Sequence, residues 1–129
     1  MSQVFTSSQT LGDLVKREFD LNYNRETITL KAGAAYPLGA VLGRITATGV
    51  YALSTKVSTP GVEGAEIACA VLLGAMPASE TDTQALVLAR GPAIVADAAL
   101  AFDASVTTAD QSTKHAQLAA HGIVVRTVA

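Results

Sequence analysis

The stretch from Leu30 to Tyr51, LKAGAAYPLGAVLGRITATGVY, limits what this chain can fold into more than any other. Gly33, Gly39, Gly43 and Gly49 interrupt it, and Pro37 removes a backbone donor. A helix of useful length does not survive breaks that frequent, so the segment must run as short extended pieces joined by bends. It contains no acid, histidine, cysteine or serine. Such a ribbon supplies shape and little chemistry.

The segments within and around it follow the same pattern. In ETITLKAG, Ile28 and Leu30 alternate with Thr27, Thr29 and Lys31, as in a half-buried strand ended by Gly33. Short strands are expected around Val41–Thr46 and from Tyr51 to Leu53, with a turn at Thr48-Gly49 between them. Pro60-Gly61 suits the centre of a type II turn. IACAVLL (67–73) and QALVLAR (84–90) read as buried strands, separated by the polar loop MPASETDT. GPAIV follows a break at Gly91-Pro92. A helix is expected over about 109–121, with Thr108 as N-cap, Gln111 completing a capping box, and Gly122 closing it so that Ile123 packs on Leu118. IVVRTV (123–128) then reads as a last strand. The fold class is mainly β, a compact bent β structure with one helix near the C-terminus, and not a parallel α/β sheet.

The first 22 residues differ. MSQVFTSSQTLG is polar and aperiodic and reads as a flexible arm. DLVKREFDLN, which follows, fits a helix carrying Leu14, Val15 and Phe19 on one face, or a segment extended along a partner. The expected organisation is an arm over 1–22 and a single β-rich domain over 23–129. Within the arm, Val4, Phe5, Leu11, Leu14, Val15 and Phe19 are the apolar side chains that a partner could cover.

Several function classes fall away. Net charge is −2 and no basic stripe is present, so direct nucleic-acid binding is not expected. No apolar run spans a bilayer, and no leader pattern opens the chain, which reads as a soluble protein made in a reducing cytoplasm. His115 and His121, six apart on one helix, point to different sides and cannot share a metal. Neither phosphate-binding glycine motif occurs, and GAVLGR reads as turn glycine. There is no G-x-S-x-G, H-E-x-x-H or C-x-x-C. The carboxylates Glu63 and Glu66, and Glu80 and Asp82, lie in polar loops as solvated charge. Cys69, the single cysteine, sits in an apolar run and reads as structural and inert. No cofactor, metal or catalytic residue is expected. Half the residues are hydrophobic but only 5% are aromatic, so the core buries little area and favours an oligomer.

Particular residues carry a resemblance. Tyr23-Asn24-Arg25-Glu26-Thr27-Ile28 leads into a strand, then come Gly39 to Thr46 and Thr48-Gly49-Val50-Tyr51. Gly64 and Ala68 precede Val71-Leu72-Leu73, and Leu118 precedes Gly122-Ile123-Val124-Val125-Arg126. In this order and spacing, residues 23 to 126 resemble the lambda-type head decoration protein D family of tailed bacteriophages. The resemblance implies a β-clip-like fold and a structural cement protein of the virion. It implies a homotrimer on the outer surface of the expanded capsid, at local threefold sites, where it stabilises the head against packaged DNA. It further implies that the N-terminal arm docks on the major capsid protein. The other function class considered is a β-clip-type domain that binds, or acts on, a small sugar acid. That reading requires polar residues converging on one cleft.

Overall fold

The computed structural model describes residues 14–18 and 24–126. Among the described residues, eight short strands and one helix follow each other: β1 (Val15–Glu18), β2 (Arg25–Leu30), β3 (Val41–Arg44), β4 (Tyr51–Leu53), β5 (Ala68–Leu72), β6 (Thr83–Leu88), β7 (Ala93–Ala96), α1 (Thr108–Ala119) and β8 (Ile123–Arg126). A 3-10 turn, Asp97–Ala99, follows β7. The chain is mainly β, as its short apolar segments imply.

Five strands close into a barrel in the order β2-β4-β3-β5-β6. The longest seam pairs all six residues of β2 antiparallel with β6, from Arg25 opposite Leu88 to Leu30 opposite Thr83. The shortest is β2 with β4, a single parallel bridge between Leu30 and Tyr51 reinforced by Lys31 N–H donating to the Tyr51 carbonyl at 2.8 Å. Ile28, Leu30, Leu42, Leu72 and Val87 fill the interior together with the Tyr36 ring. The Tyr36 hydroxyl donates to the Lys31 carbonyl at 2.8 Å, so its polar end is satisfied inside the ribbon.

The remaining strands form a second sheet, β1-β7-β8. Here β7 and β8 run parallel, and α1 supplies the crossover that a parallel pair needs. A second core lies between this sheet, α1 and the barrel wall, built from Leu14, Val41, Val71, Leu88, Leu118 and Ile123. Both faces of β5 are therefore largely covered. On β6 the pattern alternates at first and Leu86 is exposed, so this strand is less buried than its apolar run suggests.

The body begins earlier than residue 23. β1 pairs antiparallel with β7, Val15 lying opposite Val95, and Leu14 is fully buried in the second core. Residues 15–18 are extended, against their own chain. Asn24, also fully buried, donates from Nδ2 to the carbonyls of Arg90 (2.8 Å) and Pro92 (3.2 Å), pinning the passage from β6 to β7 around a cis Gly91-Pro92 bond.

The helix cap falls one residue before the expected one. Thr107 is the N-cap: its hydroxyl accepts from Asp110 N–H while the Asp110 carboxylate accepts from Thr107 N–H and Oγ1. Two threonines stood in register with a partner three residues on. The short aspartate, held also by Lys56 at 3.5 Å, takes the box, and these partners hold its carboxyl below the ordinary range. At the other end Gly122 is left-handed (φ 82°), but consecutive i→i−3 bonds, His121 N–H to Leu118 O and Gly122 N–H to Ala119 O, close the helix. Leu118 and Ile123 meet in the second core as expected.

Two contacts set how closely the layers approach. Gly43 is not a turn residue but lies within β3, and a Cβ there would fall 2.1 Å from the Ala65 carbonyl oxygen. Lys114, only 2% exposed, donates from Nζ to Ser54 Oγ (2.9 Å) and to the carbonyls of Thr55 (2.6 Å) and Glu66 (2.6 Å). One ammonium thus ties α1 to the exit of β4 and the approach to β5. Burial pushes its pKa down, opposed by Glu66, Asp110 and Asp103.

Lys114→Met keeps the stem but leaves two carbonyls and a hydroxyl unpaired; the expected loss is roughly 3 kcal/mol in urea unfolding. Gly43→Ala is expected to cost roughly 3 kcal/mol or more in the same measurement, because the clash is with backbone and not with a movable side chain. Unchanged midpoints would contradict either account.

Candidate interaction surfaces and the barrel mouth

Of the six apolar residues assigned to partner binding, Val4, Phe5, Leu11 and Phe19 lie outside the described residues. Leu14 is inside the body's own core, and Val15 packs against it while paired with Val95. These two side chains are spent on folding and are not free anchors. The antiparallel register sets the start of β1 beside the end of β7. Beside that end lies a shallow, largely apolar groove of about 420 Å³ lined by Pro37, Leu38, Ala98, Leu100 and Ala101.

The expected polar-loop carboxylates close turns. Glu63 accepts from Gly61 N–H (3.1 Å), Glu66 from Gly64 N–H (2.8 Å), and Asp82 from Ala32 N–H (2.8 Å) across the barrel end. The histidines are separated. His115 lies on α1 with Nε2 3.2 Å from Asp97 and its ring tilted against Phe102, whereas His121 follows the helix. Among the described residues no three metal-ligating side chains cluster, and no helix is long and apolar enough to cross a membrane.

One polar cleft does form, at a mouth of the barrel. It has a volume of about 460 Å³. Tyr51, Cys69 and Ala89, which pack against the barrel interior, form its floor. Glu26, Arg44, Arg90 and His121 stand around it, with Ile67 55% exposed beside them. Arg90 and Glu26 form an ion pair across the β2–β6 seam. Sequence reading missed this assembly because its members come from six separate segments, with Glu26 and Arg90 64 positions apart. Cys69 is half-buried at the cleft floor and not enclosed. Burial raises its thiol pKa, partly offset by a backbone hydrogen bond from Arg44 and by the Arg44 charge. Burial likewise raises Tyr51, with smaller contributions from Cys69 and Glu26.

A small barrel backed by a second sheet and a helix defines a compact, mainly β module. The chain matches the family model of the bacteriophage lambda head decoration protein D over residues 4–123, and it belongs to that family. Its role is therefore capsid decoration, and it associates with the phage capsid as a structural protein of a family that is not enzymatic. A comparison with curated proteins gives no match.

The raised thiol pKa has a measurable sign. At any given pH Cys69 carries less thiolate than a free cysteine, so its alkylation by a small reagent should be slow at neutral pH and accelerate only above the ordinary thiol range. Rapid labelling of the native protein at pH 7 would contradict this.

Proposed function

We propose that the protein is a cement protein that binds the outside of the expanded head as a homotrimer at local threefold sites and stabilises it against packaged DNA. The observation that carries this reading is the family match, which begins at residue 4 and so includes the segment ahead of β1. The composition supports it. A core of small side chains, with three phenylalanines, three tyrosines and no tryptophan in the whole chain, leaves a monomer with modest buried area. Subunit contacts would add what the core lacks.

The docking arm in this reading is the segment before Leu14, with Val4, Phe5 and Leu11 as its apolar anchors. An extended arm can add a strand to a sheet edge of the major capsid protein, where backbone hydrogen bonds give affinity and side-chain pockets give register. Three arms at one threefold site bind together, so weak single contacts become tight through effective concentration.

Deleting residues 1–13 tests the arm separately from the body. Light scattering should still give a trimer, because Leu14 and β1 remain. Co-sedimentation with expanded heads should fall by at least about a hundredfold. Unchanged co-sedimentation would overturn the arm, and a monomer mass for the full chain would overturn the trimer.

A further inference from the structure

The cleft at the barrel mouth has no part in the reading above, which needs only the arm and the subunit contacts. Its charge is unbalanced: Arg44 and Arg90 face one carboxylate, Glu26, which is already committed to Arg90. Arg44 has no carboxylate partner among the described residues. Its guanidinium instead lies over the turn that joins β3 to β4, where a Cβ at Gly49 would fall 3.1 Å from Nη2. Glycine at that turn leaves room for the head group, so backbone shape positions it and no competing acid does.

We propose that this barrel mouth is a binding site for a carboxylate carried on a short apolar stem, with Arg44 as its ion-pair partner. The guanidinium fork matches a carboxylate in two parallel hydrogen bonds. Tyr51 lies on the cleft floor, within electrostatic reach of Arg44 and Arg90, and its phenol is a hydrogen-bond donor there. Ile67 and Ala89 offer apolar surface to the stem. The volume of about 460 Å³ exceeds that of a bare ion and accommodates a whole acidic residue. Barrel mouths where a few polar groups converge are a recurrent setting for small ligands. The source of the carboxylate is either a free small acid or the side chain of a protein segment.

The test is a titration of the full-length protein followed by backbone amide NMR. The probes are propionate, its neutral isostere propionamide, and a Gly-Glu-Gly tripeptide blocked at both ends. Saturable shifts are expected at Tyr51, Ile67, Cys69 and Arg90 with propionate, and not with propionamide. Saturation by the tripeptide as well identifies a protein side chain as an acceptable source; saturation by propionate alone identifies a free acid. Arg44→Met should weaken binding at least about tenfold while leaving the Glu26–Arg90 pair in place. Should that variant disturb the fold, Arg44→Lys keeps a charge but not the fork, and is expected to lose part of the affinity. No saturable shift with either carboxylate, equal binding of propionamide, or unchanged affinity in the Arg44 variants would overturn the proposal. None of these outcomes depends on the trimer or on phage heads.

Discussion

Close backbone approach is the constraint on which this fold depends. With alanine and valine where larger proteins place aromatics, layers can fill space only by lying near each other. Gly43 lets the Ala65 carbonyl rest directly on β3, and Gly91 lets the Gly122 carbonyl come within 1.8 Å of where a Cβ would stand. The first contact seats the loop before β5 on the barrel wall. The second joins the passage between β6 and β7 to the end of α1, where Gly91 N–H donates to the His121 carbonyl at 2.7 Å. Lys114 then ties the helix to two loops at once. Its three donors meet three acceptors, so a charge that would be costly alone is held in a satisfied site. The glycine-rich ribbon from Leu30 to Tyr51 is thus a scaffold whose bends allow the barrel to close.

Most of this architecture was legible in the sequence where the signal was local. Alternation in ETITL, the apolar run ACAVL and the glycines at turns each report on neighbours a few residues away, and the strands fall within a residue or two of where those patterns put them. The failures share a different cause. β1 was hidden because VKRE has no distinctive pattern of its own and is a strand only through pairing with residues 93–95. The helix cap slipped by one because Thr107 and Thr108 offer the same chemistry, and only the reach of Asp110 and the presence of Lys56 decide between them. Gly43 looked like a turn because its partner, Ala65, is distant in sequence. Lys114 carried one usable signal: it stands four residues before Leu118, on the same face of an otherwise polar helix.

The surfaces were the least legible part. Residues proposed as arm anchors divide into two groups, since Leu14 and Val15 are used by the body. The barrel mouth could not be seen at all, because its ionic groups are brought together only when β6 closes on β2. Low chemistry along each segment did not mean low chemistry in the assembled mouth. A capsid decoration protein needs rigid surfaces with defined geometry, and a small barrel braced by a second sheet supplies them with few bulky residues.

The most direct test of the account is electron cryo-microscopy of expanded heads incubated with the purified protein. The account predicts added density on the outer surface, three-lobed and centred on the local threefold positions, with thin extensions reaching into the shell beneath each lobe. Heads without added density, or density elsewhere on the shell, would contradict it.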